Sequence, residues 1–418
     1  MPVLEARNIR VEIPTEDGVV HAVRNISFSV GAGRIFGIAG ESGSGKSVLT
    51  QAIMGLLPNA EITGQVLFGG RDLIGMPRNE LRSLRGGQIG MIFQDPLSSL
   101  HPYYKIGDQI AEVIHTHEKT GKAAARARVI EMLGKVGIPD PAARYDDYPH
   151  QFSGGMRQRV MIAMALILKP ALIIADEPTT ALDVTVQEQI VALLDEMRRE
   201  FGTTIILITH DLGLLSSVAD DVMVMYGGTR MEMGPGRSLF HAPAHPYTAG
   251  LLMSAPSNHA PGSDIASIPG RPPSLLATPR GCVFAPRCAS AMAQCDEARP
   301  PLRIFDDGVQ ALCWLENSAP IPAAARQAPR TMPTGTAAAE TVVEIRDVHL
   351  TYRVESFLGK AQSLNVLKGI DLTVTRGETV GLVGESGCGK STLARVIAGL
   401  TPATRGKVAL LGQDLGGL

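Results

Sequence analysis

The sequence predicts an α/β fold built around a largely parallel sheet, and three observations lead to this prediction. Short β-rich apolar runs alternate with helical runs between Met1 and Gly234, which favours a sheet layered with helices. A glycine-rich loop follows one of the apolar runs. A segment around that loop occurs twice, at residues 33–58 and 377–402, so part of the fold is repeated.

Three strand–helix pairs carry the alternation in the first half of the chain. Each pair is a short apolar run followed by an amphipathic or apolar run of helical length. The pairs are GRIFGIAG with SVLTQAIMGL, ALIIAD with VTVQEQIVALLDEMRREF, and TTIILITH with LGLLSSVA.

The amino-acid composition excludes several classes of protein before any motif is considered. Lysine and arginine total 39 against 41 acidic residues, whereas proteins that bind nucleic acid usually carry a basic excess. Aromatic residues make up only 4% of the chain, too few for a base-stacking surface. The N-terminus lacks the apolar core of a secretion signal, and Lys169 and Pro170 interrupt the most apolar stretch, 160–175. We therefore expect a cytoplasmic protein that binds no nucleic acid and has no membrane span.

Residues 40–47, GESGSGKS, match the phosphate-loop pattern G-x4-G-K-[ST]. Such glycines let backbone N–H groups face phosphate oxygens, and the next helix adds its positive end. We expect Lys46 to reach the β- and γ-phosphates and Ser47 to ligate Mg²⁺. Kinases, GTPases and helicases share this motif, and a chance glycine-rich turn is the other interpretation. The predicted nucleotide-binding residues are Gly40, Ser42, Gly43, Gly45, Lys46 and Ser47.

Two carboxylates end the apolar run LIIADEP at residues 172–178. Strand ends beside the phosphate loop are where a doubly wound sheet binds ligands. Asp176 suits a direct or water-mediated contact with Mg²⁺, and Glu177 suits a general base that polarises the attacking water. The alternative is an ordinary exposed acidic turn.

The repeat defines the predicted domain organisation. The two loop segments are identical at 14 of 26 positions, at a constant offset of 344. The second copy provides a second set of predicted nucleotide-binding residues: Gly384, Gly387, Gly389, Lys390, Ser391 and Thr392. We expect a first domain at 1–240, an extension at 241–316, an Ala/Pro-rich linker at 317–340, and the beginning of a second domain at 341–418. The second domain is expected to be incomplete, from either a fragment or a truncated gene.

Further motifs follow the phosphate loop in a fixed order. They are Gln94 in MIFQDP, FSGGMRQR at 152–159, ALD at 181–183 and His210 in LITHD. Together with the phosphate loop and DEP, they resemble the nucleotide-binding domain of an ABC ATPase. The resemblance covers residues 1–260 fully and 341–418 in part. It implies a P-loop NTPase domain with a helical subdomain, then a cysteine-containing extension and a partial second ABC domain.

The resemblance implies roles for the matching residues. Glu177, His210 and Gln94 would be catalytic, and Ser47, Gln94 and Asp176 would hold Mg²⁺. The segment Ser153, Gly154 and Gly155 would meet the γ-phosphate of ATP bound to an opposite domain, and Asp183 would link the two sites. Read singly, Gln94 is an ordinary turn residue and His210 a surface histidine; the ordered set favours the catalytic interpretation.

This chain departs from the family pattern at two places. The signature reads FSGGM instead of LSGGQ, but its SGG core is kept. The aromatic residue that stacks on adenine in the family is absent from the first domain, where Ile13 takes its position. In the second copy, Tyr352 fits that position. We therefore expect weak adenine stacking at the first site.

Four cysteines lie in the extension after HPYT at residues 245–248: Cys282, Cys288, Cys295 and Cys313. This region resembles the C-terminal extension of dipeptide, oligopeptide and nickel importer ATPases, some of which bind a [4Fe-4S] cluster there. Four thiolates suit an iron–sulfur cluster or zinc, although no C-x2-C pair is present. Unliganded thiols are the third possibility. We expect a structural or regulatory role.

The family implies an ATPase, using ATP and Mg²⁺, that energises an importer of di- or oligopeptides, nickel or glutathione. Its implied partners are transmembrane permeases, which would dock near residues 94–150, an extracytoplasmic solute-binding protein, and another ABC domain packed head to tail. Its implied location is the cytoplasmic face of the inner membrane, as a peripheral subunit. Two alternatives stay open: a soluble, non-transport tandem ABC ATPase and a catalytically incomplete remnant.

Overall fold

The computed structural model describes residues 2–180, 182–255, 259, 266–316, 340–354, 362–384 and 387–415. The chain divides into two compact units, Met1–Pro329 and Arg330–Leu418. Residues 317–339 of the predicted linker lie outside the described residues.

The first unit contains an antiparallel sheet formed mainly by its N-terminal residues. Its strands lie in the order β2-β1-β4-β5. The ranges are β1 Pro2–Thr15, β2 Gly18–Gly31, β4 Glu61–Phe68 and β5 Arg71–Asp72. The β-rich character of this region was expected, but its separation from the parallel sheet was not.

The main sheet of the first unit has eight strands, and five neighbouring strands in it are parallel. In sheet order the parallel strands are β9 Asp221–Tyr226, β3 Ile35–Ala39, β8 Thr204–Ile208, β7 Leu172–Asp176 and β6 Ile89–Ile92. Beyond β9, the sheet continues antiparallel through β10 Thr229–Pro235, β12 Gln310–Leu312 and β11 Leu302–Ile304. Two strands of the cysteine-containing extension thus belong to the same sheet as the phosphate-loop strand.

Helices cover the sheet and form a separate helical region between β6 and β7. The first helix, α1 Lys46–Ile53, follows β3 and the phosphate loop. The remaining helices are α2 Arg78–Leu84, α3 Pro96–Ser99, α4 Ile106–His117, α5 Lys122–Lys135, α6 Pro141–Arg144, α7 Gly154–Leu166, α8 Val184–Phe201, α9 Leu212–Val218, α10 Gly236–His241, α11 Pro246–Met253 and α12 Ala293–Glu297.

The main sheet has a hydrophobic core on each face. Along β3, Ile35 and Ala39 face one cluster of buried residues, whereas Phe36 and Ile38 face the other. All five residues of β3 are buried, as expected for a strand covered on both sides. One cluster packs against the helical region, and the other lies between the main sheet and the antiparallel sheet.

The predicted α/β class is confirmed. Each of the three predicted strand–helix pairs is present, and the helix predicted at 184–201 coincides with α8.

The second unit repeats the beginning of the first. Its sheet has the order β14-β13-β15-β16, with β13 Thr341–Val354, β14 Gln362–Thr375, β15 Arg405–Leu410 and β16 Gln413–Asp414. Its helix, α13 Lys390–Ile397, is offset from α1 by the 344 positions that separate the sequence repeats.

Candidate functional site

The phosphate loop of the first unit folds around the ammonium group of Lys46. The Nζ atom donates to the carbonyl oxygens of Gly40 at 2.8 Å and Glu41 at 2.9 Å. Lys46 is only 4% exposed. Burial lowers the pKa of its side chain, while the nearby carboxylates of Glu177, Asp176 and Glu41 act in the opposite direction. The loop therefore holds a buried cation at the position where phosphate oxygens are expected.

Two glycines of this loop are required by close backbone contacts. A Cβ at Gly40, whose φ is +145°, would lie 2.1 Å from the carbonyl oxygen of Met225. A Cβ at Gly45, whose φ is +95°, would lie 2.3 Å from the carbonyl oxygen of Ala22. Any larger residue would force the loop away from β2 and β9, so the glycine pattern reflects packing as well as phosphate access.

The end of β7 meets the start of α1 beside the loop. Ser47 Oγ donates to Asp176 Oδ1 at 2.8 Å. Burial is the main cause that raises the pKa of Asp176, and the Ser47 hydrogen bond and Lys46 oppose it. A hydroxyl and a carboxylate are hard oxygen ligands of the kind that Mg²⁺ prefers, so these two side chains fit the ion expected here.

The three side chains predicted to be catalytic lie together, with Gln94 and His210 both close to the carboxylate of Glu177. Oε2 of Glu177 lies 3.3 Å from Gln94 Nε2 and 3.5 Å from His210 Nδ1. Thr180, which sequence reasoning did not select, donates its hydroxyl to the same oxygen at 2.9 Å. Glu177 has a φ of +45°, which is rare for a residue other than glycine. The chain turns sharply after the strand and holds this carboxylate in place.

One pocket contains the loop and the three convergent side chains. It is lined by Ser42, Gly43, Ser44, Gly45, Lys46, Ser47, Val48, Gln94, Glu177 and His210. The pocket combines a buried cation and backbone N–H groups for phosphates with a carboxylate that can accept a proton from water. Such an arrangement suits phosphoryl transfer to water.

Comparison with known proteins agrees with this geometry. The ABC transporter family profile matches residues 23–180 and 367–417, and the profile of the oligopeptide/dipeptide transporter C-terminal region matches residues 231–295. The oligopeptide transport ATP-binding protein OppD of Haemophilus influenzae is 51% identical over 315 residues, covering 75% of this chain and 97% of that protein. The chain belongs to the ABC transporter ATP-binding family. It is an ATPase of this class, whose nucleotide is ATP with Mg²⁺.

Two further comparisons concern the extent of the chain and its fold. OppD of Mycobacterium bovis is 41% identical over 423 residues, which cover 99% of this chain and 69% of that protein. A solved dimeric bacterial ABC transporter cassette matches with a TM-score of 0.51 and 27% identity, covering 56% of this chain and 99% of that cassette. The fold of one ABC cassette is therefore present.

The ABC signature segment lies at the start of α7. Ser153 caps this helix, and its Oγ accepts from the N–H of Met156 at 3.3 Å. Among the described residues, the lining of the Lys46 pocket does not include Ser153, Gly154 or Gly155. Asp183 caps α8, and its Oδ1 accepts from Val186 N at 3.0 Å. Ala181 of the ALD segment lies outside the described residues.

The two positions predicted to face adenine, Ile13 and Tyr352, are equivalent in the two hairpins. Ile13 pairs with Val20 in the β1–β2 hairpin, and Tyr352 pairs with Leu364 in the β13–β14 hairpin. Ile13 is partly buried against the core between the two sheets, whereas the Tyr352 ring is exposed.

The described residues of the second phosphate loop share glycine conformations with the first loop but have different surroundings. Lys390 Nζ donates to Gly384 O at 2.6 Å and lies 3.7 Å from Cys388 Sγ. Gly387 and Gly389 have positive φ angles, as do their counterparts Gly43 and Gly45. Ser391 and Thr392 lie in the first turn of α13, which begins at Lys390. Residues 385 and 386 lie outside the described residues.

The four extension cysteines line one small cavity. They share it with His245, Phe284 and Trp314, among others, and none forms a disulfide. Burial raises the pKa of Cys282 to about 11. Among the described residues, no group of three or more His, Cys, Asp or Glu side chains is arranged to hold a metal ion.

Sequence reasoning missed two residues of the extension that touch the phosphate loop. Tyr247 accepts from the N–H of Glu41, and Arg287 forms an ion pair with the Glu41 carboxylate. The HPYT motif and the position of Arg287 between two cysteines were visible, but no pattern in the sequence connects either to the loop.

No helix in the described part of the chain is long and apolar enough to cross a bilayer.

Proposed function

We propose that this chain is the ATP-hydrolysing subunit of an ABC importer of oligopeptides or dipeptides. The observation that carries this proposal is the convergence of Glu177, Gln94 and His210 on the pocket of Lys46. The HPYT-containing extension and the relatives named for oligopeptide transport support the choice of solute class. Nickel and glutathione are the other solutes that the resemblance allows.

In this proposal the side chains of the pocket divide the tasks of hydrolysis among them. Lys46 and the loop N–H groups bind the phosphates and neutralise their charge. Glu177 accepts a proton from the attacking water, and Gln94 and His210 orient that carboxylate and the water. Ser47, Asp176 and Gln94 would hold Mg²⁺, which stabilises negative charge on the phosphate oxygens.

The signature segment would act on a different nucleotide. Ser153 is exposed at the N-terminus of α7, where helix N–H groups favour an anion. We propose that Ser153, Gly154 and Gly155 bind the γ-phosphate of ATP held by an opposing ABC cassette, and that Asp183 connects the two sites. The dimeric form of the matched cassette supports pairing of two cassettes; the head-to-tail arrangement is part of this proposal.

Exposed aromatic residues after β6 support docking on a membrane permease. Phe93, next to Gln94, is exposed, and so are Tyr103 and Tyr104. The exposed fraction of Tyr103 is 82%. Aromatic residues are enriched in protein interfaces. We propose that this segment contacts a transmembrane permease at the cytoplasmic face of the inner membrane, and that an extracytoplasmic solute-binding protein delivers the solute.

We further propose that the chain carries two ABC cassette segments joined by the linker at 317–340. The first would comprise residues 1–240 with the extension at 241–316, and the second would begin at 341. The match of the family profile to residues in both segments supports this organisation.

For the extension, we propose a [4Fe-4S] cluster bound by Cys282, Cys288, Cys295 and Cys313. The thiols face one cavity, and Nε1 of Trp314, another lining residue, has no hydrogen-bond partner among the described residues. An N–H of this kind can donate to a cluster sulfur. Iron and acid-labile sulfide in the anaerobically purified chain, lost in Cys295→Ser, would support the cluster. Zinc in their place, or no metal, would contradict it.

The substitution Glu177→Gln tests the proposed catalytic base. It keeps the size of the side chain and removes the proton acceptor, so ATP hydrolysis should fall by about a hundredfold or more while ATP binding persists. The measurements are phosphate release and nucleotide affinity. Glu196→Gln, on an exposed position of α8, is the matched control and should retain activity.

Wild-type turnover in Glu177→Gln would reject the assignment of the base. Co-purification tests the transport role separately: permease subunits are expected with the native protein. Ribosomes or nucleic acid in their place would favour the soluble, non-transport alternative.

A further inference from the structure

An ion pair connects the cysteine-containing extension to the phosphate loop. Arg287, between Cys282 and Cys288 of the extension, donates through Nη1 to Glu41 Oε2 at 2.7 Å and through Nη2 to Oε1 at 3.1 Å. Glu41 is the second residue of the loop that contains Lys46. This two-point geometry fixes the orientation of both side chains as well as their distance.

The guanidinium group of Arg287 is buried, and all of its N–H groups donate hydrogen bonds. Its side chain is only 6% exposed. It also donates to Tyr226 Oη at 3.1 Å, to the carbonyl oxygen of Pro269 at 2.8 Å and to that of Ile268 at 3.2 Å. These bonds use all five N–H donors of an arginine. A lysine has three donors in a different geometry and could not make the same set.

A second contact reaches the loop from the HPYT motif. Tyr247 Oη accepts from the backbone N–H of Glu41 at 2.9 Å. The Tyr247 ring packs against Tyr226 and Phe284, with centroid distances of 4.6 and 5.2 Å. Phe284 lies in the same short segment as Arg287, so one buried aromatic cluster supports both contacts to Glu41.

The charge of Glu41 matters for the nucleotide site. Its backbone carbonyl accepts from Lys46 Nζ, and its carboxylate is among the charges that act on Lys46. A carboxylate beside a polyphosphate is repulsive unless a cation compensates it. Arg287 supplies that cation from the extension.

We propose that the extension positions the phosphate loop for ATP, with Arg287 as the positioning residue that acts through Glu41. Arg287 holds the Glu41 carboxylate away from the bound phosphates and neutralises it, and Tyr247 holds the Glu41 backbone. The inference rests on the proposed binding of ATP at Lys46. It gives the extension a function at the nucleotide site that is independent of any metal.

The test is a double-mutant cycle in the 418-residue chain carrying Lys390→Ala, so that only the first loop binds nucleotide. The variants are Arg287→Gln, Glu41→Gln and the double substitution, and the measurement is the affinity for MgATP by titration calorimetry. Arg287→Gln should weaken binding about tenfold, because it leaves an unpaired carboxylate beside the phosphates. Glu41→Gln in the same chain should restore affinity to within about threefold of the parent.

Rescue by Glu41→Gln separates positioning from simple loss of structure, since removing a second side chain cannot rebuild a disrupted extension. Arg280→Gln, at an exposed position of the same extension, is the control and should bind like the parent. Thermal melting of each variant reports folding. If Arg287→Gln does not fold, Arg287→Met, which is also uncharged, replaces it, with the same expected weakening and the same rescue.

The outcomes distinguish the two proposals. Parental affinity in Arg287→Gln, or equal weakening in the single and double variants, would overturn the role of the Arg287–Glu41 pair while leaving ATP binding intact. A parent chain that binds no MgATP would instead reject the proposed function, and this inference with it.

Discussion

The two phosphate loops of this chain share a sequence pattern but lie in different surroundings. In the first unit the strand before the loop, β3, pairs with β8 and β9 and is completely buried. In the second unit, residues 379–384 pair with no strand in the described part of the chain. Val383, which corresponds to Ala39, is 93% exposed.

Other features of the two units are the same. Helices α1 and α13 have equal length, and each is preceded by a glycine with a φ near +100°. Asn8 and Asp347 both adopt positive φ angles at equivalent bulges of the first hairpin. These features depend on residues within one hairpin or one loop.

The two units show which parts of the site depend on local sequence and which depend on pairing with distant strands. The helix and the positive-φ glycine before it are present in both units, whereas the strand is described in the first unit, where distant strands provide hydrogen-bond partners and both of its faces are covered. In the first unit those partners come from residues 204–226. Glu177, the proposed catalytic base, follows β7 of the same sheet, so the complete pocket depends on that long-range pairing.

The largest expected difference between the two units is in the response of ATP hydrolysis to substitution of the loop lysines, Lys46 and Lys390. Lys46→Ala should lower ATP hydrolysis by about a hundredfold or more, because a buried cation is removed from the pocket that contains Glu177. Lys390→Ala should change hydrolysis by less than about twofold. Phosphate release by the 418-residue chain is the measurement. Equal losses in the two variants would show that the second loop participates in catalysis.

A buried glutamate that accepts hydrogen bonds from the extension should make the stability of the first unit depend on pH. Glu232 on β10 is buried and accepts from the N–H groups of Ala244 and His245 at 2.7 and 3.1 Å. Burial raises its pKa from 4.5 to about 7. Because the pKa of Glu232 is higher in the folded state than in the unfolded state, protonation of Glu232 favours folding. This stabilisation is complete below about pH 4.5 and is lost as the pH rises through about 7.

The expected effect is about 2 kcal/mol of unfolding free energy between pH 8 and pH 5.5. It should appear as the difference in pH dependence between wild type and Glu232→Gln, measured by urea denaturation followed by circular dichroism. Glu196→Gln should retain the wild-type dependence. Identical profiles for wild type and Glu232→Gln would mean that Glu232 stays ionised throughout that range.

The smallest expected effect is at Ile13, the position of the first unit that is predicted to face adenine. Ile13→Tyr gives the first unit the residue that the second carries at Tyr352, and stacking should strengthen ATP binding about fivefold. The affinity is measured in the Lys390→Ala chain. Inorganic triphosphate, which has no base to stack, is the control and should bind equally well with Ile13 or Tyr. A gain for both ligands would assign the effect to the loop and not to the base.

Sequence patterns predicted much of the nucleotide site for a physical reason. Lys46 and Ser47 belong to one local motif, and Asp176 and Glu177 end an apolar strand, so parallel pairing brings them to one edge of the sheet. The ordered resemblance to ABC ATPases added Gln94 and His210, which single residues could not identify. The structure brings all of these side chains to one region.

The contacts from the extension could not be predicted in the same way. Arg287 reaches Glu41 across 246 positions of sequence, and the contact depends on how β10 pairs with β12 and how Phe284 packs. Thr180 was missed because a threonine after DEP carries no distinctive pattern. Tyr247 was noticed only as part of HPYT, and its hydrogen bond depends on the fold of the loop.

The Arg287–Glu41 contact also sets an order of events during protein synthesis. A ribosome adds about 5–20 residues per second, so Lys46 is made on the order of ten seconds or more before Arg287. During that interval the nascent loop lacks its guanidinium partner, and β3 lacks β8 and β9 until residues 204–226 emerge. The final form of the nucleotide pocket is therefore a late step in the biogenesis of the first cassette.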